Sequence, residues 1–358
     1  MIELIKSWYR AKFSDPNSVT LLLMLLAMAA LLYFFGTFII PVLVAIVIAY
    51  LLDWPVTHLQ RVVPSRQMAT NLVMLVFVSV MLALMFGILP VLWAQTSNLV
   101  QEAPTMIEEG KYYLLHLPDN YPNLISTEQV QNLVGAVETK LFDFGQQVVS
   151  ASLTSIKDVV AWLIYLVLVP LLVFFMLKDK TQLTAGLLQL VPKERRLINQ
   201  VWEEMDHQIM NYIRGKVIEI VIVGLSSFIA FTVLDLRYAA LLGTLVGFSV
   251  LIPFIGAAVV TLPVAAVALF QFGIAPEFWT VLVVYGVIQA LDGNVLVPLL
   301  FSEAVDLNPV YIIVAVLFFG GLWGFWGVFF AIPLASLVKA LLNAWSTQQQ
   351  EYLASEAK

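Results

Sequence analysis

The sequence predicts an all-α, polytopic integral membrane protein. Of its 358 residues, 61% are hydrophobic and only 12% are charged, and the mean hydropathy is +0.92. Soluble chains are about half apolar and a quarter charged, so this composition is typical of a chain that lies in lipid. Several apolar runs reach the length of about 20 residues that a helix needs to cross a bilayer. We expect about six crossings plus two Gly/Pro-interrupted re-entrant hairpins, with about eight or more full spans as the alternative.

The composition also excludes several classes of function. The chain has no cysteine, which rules out disulfides, thiolate metal sites and cysteine nucleophiles. Its histidines, His58, His116 and His207, are far apart and lack the spacing of metal ligands, so we expect no metal and no cofactor. No basic domain suggests nucleic acid. The expected surroundings are the lipid bilayer.

The N-terminal region, residues 1–93, is predicted to contain three spans. They run from about Val19 to Ile40, from Pro41 to about Asp53, and from about Met68 to Trp93. Lysine and arginine precede the first span and separate the second from the third, which places both segments in the cytoplasm by the positive-inside rule. The N-terminus is therefore expected to be cytoplasmic.

Three further regions follow from charge and periodicity. Residues 94–157 are predicted to be a periplasmic segment, in which an amphipathic helix begins at a capping box formed by Ser126 and Gln129. Residues 158–216 hold the fourth span, about Val159 to Leu177, and a cytoplasmic amphipathic helix. Residues 344–358 are predicted to be a cytoplasmic tail.

Residues 217–343 are predicted to be a C-terminal transport region. After a fifth span, about 217–234, two apolar stretches are interrupted by helix-breaking residues: 238–272 near Pro253 and Gly256, and 310–342 near Gly320, Gly321 and Gly324. Each stretch is expected to form a hairpin with legs of about 16 residues, or about 24 Å, which is short for a complete crossing. Two full helix pairs give the same topology, so the alternative stays open.

A single crossing, about 279–300, lies between the two interrupted stretches and carries unusual polar residues. Tyr285, Gln289 and Asp292 stand at i, i+4 and i+7, so they share one face of the helix. A carboxylate at a helix centre costs about +2.5 to +3.5 kcal/mol on the insertion scale, so Asp292 should face protein or water. Two short interrupted segments around a broken crossing indicate a transporter's binding site.

The residues after the aspartate weaken this helix. Gly293 and Pro298 free backbone carbonyls, and Asn294 joins the aspartate's face if the segment unwinds. One interpretation is a solute or ion pathway, in which protonation or Na⁺ binding at Asp292 is coupled to transport. The alternative is that Asp292 and Asn294 only cap a helix break.

Glu219, early in the fifth span, is a second membrane carboxylate. It either pairs with Arg214 or Lys216 near the interface or takes part in coupling.

Intramembrane enzymes are disfavoured, so we expect no catalytic residues. Asp292 has no deep aspartate partner, as an aspartyl protease would require, and no histidine lies inside a span to activate a serine. ATP-driven pumping is disfavoured because no G-x-x-x-x-G-K-[ST] motif is present. A secondary carrier or a channel remains.

Four motifs resemble those of the autoinducer-2 exporter (AI-2E) family, also described as PerM-type permeases. They are YIRGK at 212–216, LIPFIGAAV at 251–259, QALDGNVLVPLLF at 289–301 and GGLWGFWGVFFAIPLASLVKALL at 320–342. The resemblance covers nearly the whole chain and is strongest from Tyr212 onward. It implies a bacterial inner-membrane transporter of a small molecule or ion. It also implies a homo-oligomer, in which part of each subunit moves in an elevator-like manner.

The resemblance also assigns positions. Gln289, Asp292, Asn294 and Pro298 occupy the family motif, and Pro253 and Gly256 occupy the turn of the first hairpin; Glu219 departs from the neutral residues expected there. The resulting hypothesis is a secondary transporter or exporter of a small solute, with ion coupling. A Na⁺/H⁺-type cation–proton antiporter is the alternative, and a non-transporting membrane scaffold is the second.

Overall fold

Helices make up all the regular secondary structure in the part of the chain that the structure describes. The computed structural model describes residues 41–115, 135, 156–189, 196–253, 255–301 and 308–339. The predicted first span, the helix after Ser126 and the cytoplasmic tail lie outside these residues. Six described helices are long and apolar enough to cross a membrane, which confirms the predicted all-α polytopic class.

Up to residue 233, the helices that correspond to predicted spans extend beyond the predicted bounds at one or both ends. The helices in this part of the chain are α1 (Pro41–Leu59), α2 (Arg66–Ala83), a π-helical turn (Leu84–Ile88), α3 (Leu89–Leu115), α4 (Ile156–Lys178), α5 (Lys180–Gln189) and α6 (Arg196–Val233). The helix that begins with α2 therefore continues well past Trp93, where the third span was predicted to end. In α6, the predicted amphipathic helix and the fifth span form one helix of 38 residues.

The C-terminal helices follow the predicted order. They are α7 (Ala239–Ser249), α8 (Ile255–Phe272), α9 (Pro276–Leu291), a second π-helical turn (Asp292–Leu296), α10 (Val297–Phe301), α11 (Pro309–Phe329) and α12 (331–339). The side chain of Asn308 accepts a hydrogen bond from the N–H of Val310 at 3.0 Å, so Asn308 is the N-cap of α11.

The chain divides into two compact units, each built from separate segments. Unit 1 comprises Met1–Phe77, Val167–Val217 and Pro298–Lys358, and unit 2 comprises Val78–Leu166 and Ile218–Val297. The chain therefore passes between the units at four points.

In unit 1, an ion cluster joins the ends of four helices. The carboxylate of Asp53 in α1 accepts hydrogen bonds from Arg66 and Lys180, each at 2.8 Å. The Nε of Arg66 also donates to the carbonyl of Leu177, near the end of α4, at 3.1 Å. These contacts bring together the ends of helices that correspond to the predicted second, third and fourth spans.

The core of unit 2 is built from α6 to α9. Phe231, Val264 and Val281 are fully buried within it. Glycines bring α6 and α7 together: a Cβ on Gly243 would lie 2.8 Å from Phe228, and one on Gly247 would lie 2.9 Å from the Cα of Gly224. Close approach through small residues is how helices associate in lipid, where burial of apolar area supplies little driving force.

In unit 2, the first interrupted stretch folds back as a hairpin of α7 and α8. Its legs differ in length: α7 has 11 residues and α8 has 18, or about 16 and 27 Å. The prediction of two equal legs was therefore wrong. The turn begins after Ser249, several residues before Pro253. A proline disfavours helical backbone in the residue that precedes it, so the first leg ends early. Gly256 is required where the legs meet, since a Cβ there would overlap the carbonyl of Ser249.

In unit 1, the second interrupted stretch folds back at Gly324. This glycine has φ 59° and ψ −136°, which breaks α11 near its C-terminal end. A Cβ on Gly327 would overlap the carbonyl oxygen of Phe319, and a Cβ on Gly320 would lie 2.8 Å from Cγ2 of Val328. Residues before Gly324 thus face residues after it, as a hairpin requires.

The legs of this second hairpin also pack through a small apolar cluster. Ala315, Val316 and Ala331 are buried in it. The segment of α11 before Gly324 is about 22 Å long at 1.5 Å per residue, short of the roughly 30 Å hydrocarbon core.

The loop before α7 is tied to α3 at one end of unit 2. Glu102 accepts hydrogen bonds from the guanidinium of Arg237 at 3.0 Å and from the hydroxyl of Tyr238. Gln95 accepts from the N–H of Leu241 at 2.8 Å, which satisfies a donor in the first turn of α7. Burial, and then the hydrogen bond to Glu102, raise the pKa of Tyr238 to about 12.

Replacing Gly327 by alanine should destabilise the second hairpin, because the new methyl group overlaps a backbone carbonyl. We expect a loss of about 1–3 kcal/mol, as for other overpacked sites, measured as a lower thermal midpoint in detergent. Gly321→Ala is the matched control, because a Cβ at Gly321 meets nothing within 4 Å. Equal midpoints for the two variants would contradict the fold-back at Gly324.

The Tyr238 hydroxyl should ionise well above the ordinary tyrosine value of 10.0. The folded protein holds this proton to a higher pH than the unfolded chain does. The stabilising contribution is therefore complete below about pH 10 and is lost as the pH rises through about 12. A phenolate absorbance titration of the protein minus that of Tyr238→Phe should show one group with a midpoint near 12. A difference titrating near 10 would refute the contact with Glu102.

Candidate functional site

The crossing between the two hairpins is broken at the predicted aspartate. Helix α9 ends at Leu291, and the π-helical turn Asp292–Leu296 follows, in which the N–H of Val297 donates to the carbonyl of Asp292. Pro298 has no N–H, so it cannot donate to the carbonyls one turn before it. The helix is thus widened rather than unwound. π-Helical turns of this kind occur frequently at functional sites.

Asp292 and its neighbours differ in exposure. Asp292 is half-buried, with its Oδ1 atom inside the protein, whereas Gly293 and Asn294 are exposed. No atom would lie within 4 Å of a Cβ on Gly293, so the backbone there is accessible. Carbonyl oxygens and a carboxylate are thus gathered in one accessible turn, and these are the donor groups that a cation or a polar solute needs.

The amide of Asn294 supports the broken helix. Its Nδ2 donates to the carbonyl of Ala290 at 2.8 Å. Asn294 therefore caps the helix break, as one of the two interpretations of the sequence describes. The Nε2 of Gln289 is different, since it is buried and has no hydrogen-bond partner among the described residues. Leaving a buried donor unsatisfied costs about 1–3 kcal/mol, which makes Gln289 a candidate functional residue.

Tyr285 lies inside the packed core of unit 2, with 4% of its surface exposed. Its hydroxyl donates to the carbonyl of Ala257 at 3.0 Å, and the Thr261 hydroxyl lies 3.2 Å from it. The ring packs against Phe231 at a centroid distance of 6.4 Å. Tyr285 thus fastens α9 to α8 one turn before Gln289.

Glu219 lies in the part of α6 that belongs to unit 2. It is 2% exposed, so it is buried within the protein. An ionisable group within a membrane span is a functional candidate by default.

The other predicted residues are structural in this description. Gly256, Gly320 and Gly324 shape the hairpins, Pro253 lies in the first turn, and Gly321 has open space beside it. Gly327 shapes the second hairpin too, since a Cβ there would overlap the carbonyl oxygen of Phe319. Sequence reasoning missed the close packing of Gly243 and Gly247, a small-x-x-x-small pair visible as GTLVG.

No group of three or more His, Cys, Asp or Glu within the described ranges could hold a metal ion.

Two folded-back hairpins and a broken crossing with a membrane carboxylate are the features of a membrane transport protein. The comparison with known proteins agrees with this class. A family model described as AI-2E family transporter matches residues 22–347. The chain therefore belongs to the AI-2E transporter family, as its motifs indicated.

Two relatives illustrate the similarity. The chain is 49% identical over 349 residues to the candidate permease PerM of Escherichia coli (strain K12), which covers 98% of this chain and 99% of the relative. It is 27% identical over 322 residues to the candidate transport protein YrrI of Bacillus subtilis (strain 168), which covers 88% and 89%. Both relatives carry the names of transport proteins rather than enzymes.

Replacing Tyr285 by phenylalanine should weaken the joint between α8 and α9. The variant loses the hydrogen bond to Ala257 but keeps the ring packing, so we expect a loss of about 0.5–1.5 kcal/mol in thermal unfolding. Tyr311→Phe is the control, since Tyr311 is 65% exposed. A Tyr285→Phe variant as stable as the control would show that this hydrogen bond does not hold α9.

Proposed function

We propose that the protein is a secondary transporter or exporter of a small solute and that Gln289, Asp292 and Asn294 lie on the solute or ion pathway. The observation that carries this proposal is the π-helical turn that begins at Asp292 within a helix long enough to cross the membrane. The turn combines a carboxylate with exposed backbone, and the buried amide of Gln289 precedes it by one turn.

Ion coupling follows from the energetics of the carboxylate. An ionised aspartate within a span is costly, and binding of a proton or Na⁺ removes the charge or compensates for it. The loaded and unloaded forms of the Asp292 turn therefore differ in the energy needed to enter the apolar part of the membrane. Such a difference is what couples an ion gradient to movement of a solute.

An elevator-like movement of part of each subunit, including the hairpins, belongs to the proposal. Two of the four points at which the chain passes between the units are Val217/Ile218 and Val297/Pro298. The π-helical turn and Pro298 adjoin the second. Helices are most easily bent at such residues, so the joints can absorb a movement while each unit keeps its own packing.

A cation–proton antiporter is the second candidate. Its support is Glu219, a second carboxylate within a span and fully buried. Two membrane carboxylates allow a proton and a metal cation to bind in alternation, without an organic solute.

The proposal includes location and assembly. We place the protein in the bacterial inner membrane with both termini in the cytoplasm, because Arg66 and Lys180 both pair with Asp53 near the ends of spans, and basic residues at span ends favour the cytoplasm. We also propose a homo-oligomer, as the family implies.

The test compares Asp292→Asn with Asp235→Asn in proteoliposomes loaded with a pH-sensitive dye. Asp235 lies in an exposed loop with φ 52°, a conformation that asparagine tolerates well, so it is a matched control for loss of one carboxylate. After Na⁺ and pH jumps, we expect the wild-type protein and Asp235→Asn to carry ion flux. Asp292→Asn should lose about tenfold or more of the rate, which corresponds to about 1.36 kcal/mol.

The outcomes separate the candidates. Flux driven by Na⁺ and protons alone supports the antiporter, whereas flux that also needs an organic solute supports the solute carrier. Rates that depend on neither gradient would refute ion coupling. Unchanged flux with lost assembly in Asp292→Asn would support the scaffold.

A further inference from the structure

An aromatic cluster in unit 1 joins three separate segments of the chain. We call it the Phe301 anchor, and its members are Tyr212, Gly215 and Lys216 of α6, Phe301 of α10 and Phe329 of α11. The rings of Tyr212 and Phe301 lie 5.8 Å apart. The hydroxyl of Tyr212 donates to the carbonyl of Phe329 at 3.0 Å. Tyr212 and Phe301 are 2% and 7% exposed, so the cluster is closed to its surroundings.

Gly215 is shaped to receive the ring of Phe301. A Cβ on Gly215 would lie 2.6 Å from the Cε1 of Phe301 and 3.2 Å from its Cδ1. Glycine is a poor helix former, so its presence inside α6 needs a packing reason. The ring provides that reason, and any larger residue at position 215 must displace it.

Lys216 holds the same ring electrostatically. Its Nζ lies 5.1 Å from the centroid of the Phe301 ring, and the side chain is only 5% exposed. A cation over an aromatic face is attracted more strongly when both groups are removed from water. Gly215 therefore admits the ring and Lys216 helps to retain it.

The anchor holds the ends of the two segments that carry membrane carboxylates. Phe301 ends α10, which continues directly from the π-helical turn of Asp292. Lys216 lies one turn before Glu219 in α6. The chain passes between the units at Val217/Ile218 and at Val297/Pro298. Both points lie within a few residues of an anchor residue in the sequence.

We propose that Gly215, Lys216 and Phe301 are positioning residues that set the placement of the Asp292 turn. The role of that turn in transport rests on the function proposed above; the positioning itself does not. A displaced Phe301 ring shifts or rotates α10, and a shift of α10 passes through the continuous helix to Asp292. The anchor residues touch neither solute nor ion.

The test reports on the turn directly. The chain has no native cysteine, so Asn294→Cys is a unique label site in the exposed π-helical turn. We expect Gly215→Ala to change its rate of alkylation by N-ethylmaleimide about fivefold, the effect of about 1 kcal/mol in local free energy. Adding Phe301→Leu removes the ring that the new methyl group would displace, and should restore part of the rate.

Two controls distinguish positioning from general loosening. Gly186→Ala introduces the same methyl group where a Cβ meets nothing within 4 Å, and should leave the rate at Asn294→Cys unchanged. Val62→Cys, at an 82% exposed site of unit 1, should react equally fast with and without Gly215→Ala. An unchanged rate at Asn294→Cys, a failed rescue by Phe301→Leu or an equal change at Val62→Cys would overturn the proposal.

Ion flux, measured in variants that lack the engineered cysteines, is an independent test. Gly215→Ala should lower the Na⁺- or pH-driven rate about fivefold, and Gly215→Ala/Phe301→Leu should recover part of it. Absence of flux in the wild-type protein would refute the proposed function, and the alkylation rates would still decide the positioning role. Normal flux in Gly215→Ala together with an unchanged alkylation rate would refute the anchor alone.

Discussion

Inside a bilayer, each backbone polar group needs a partner within the protein, and this requirement governs where the described helices break. At the break after Leu291, the N–H of Val297 reaches back to Asp292 and the Asn294 amide donates to the carbonyl of Ala290. The break is therefore a π-helical turn rather than an open loop. Asn294 of the motif thus satisfies a backbone carbonyl at the break.

Close contacts at glycines hold the described helices together. In lipid, helices gain little from burying apolar area, so close van der Waals packing holds them together. Gly256 and Gly327 each admit a carbonyl of the opposite hairpin leg, and Gly215 admits the ring of Phe301. Gly293 and Gly321 have open space beside them, so the same residue type weakens a helix or leaves it accessible there. The surroundings of each glycine therefore decide whether it allows a close contact or leaves the helix accessible.

The candidate site combines a rigid part with an adaptable one. Tyr285 is bonded into the core of unit 2 and fixes the course of α9. Asp292 lies just beyond the end of α9, in a turn with weakened backbone hydrogen bonding. Sites that bind and release a ligand need groups of both kinds, because a fixed frame maintains specificity and a soft segment permits the change of state.

The sequence alone determined the membrane class, the helical content, the two interrupted stretches and the polar motif in the crossing between them. These follow from local quantities: apolar run length, helix-breaking residues and the cost of a charge in lipid. Only the tertiary structure decided that the first hairpin has unequal legs, that Tyr285 is a core residue and that Asn294 caps Ala290. It also decided which glycines are in contact. Those outcomes depend on which groups meet across the fold, and a one-dimensional pattern does not specify partners that are distant in the chain.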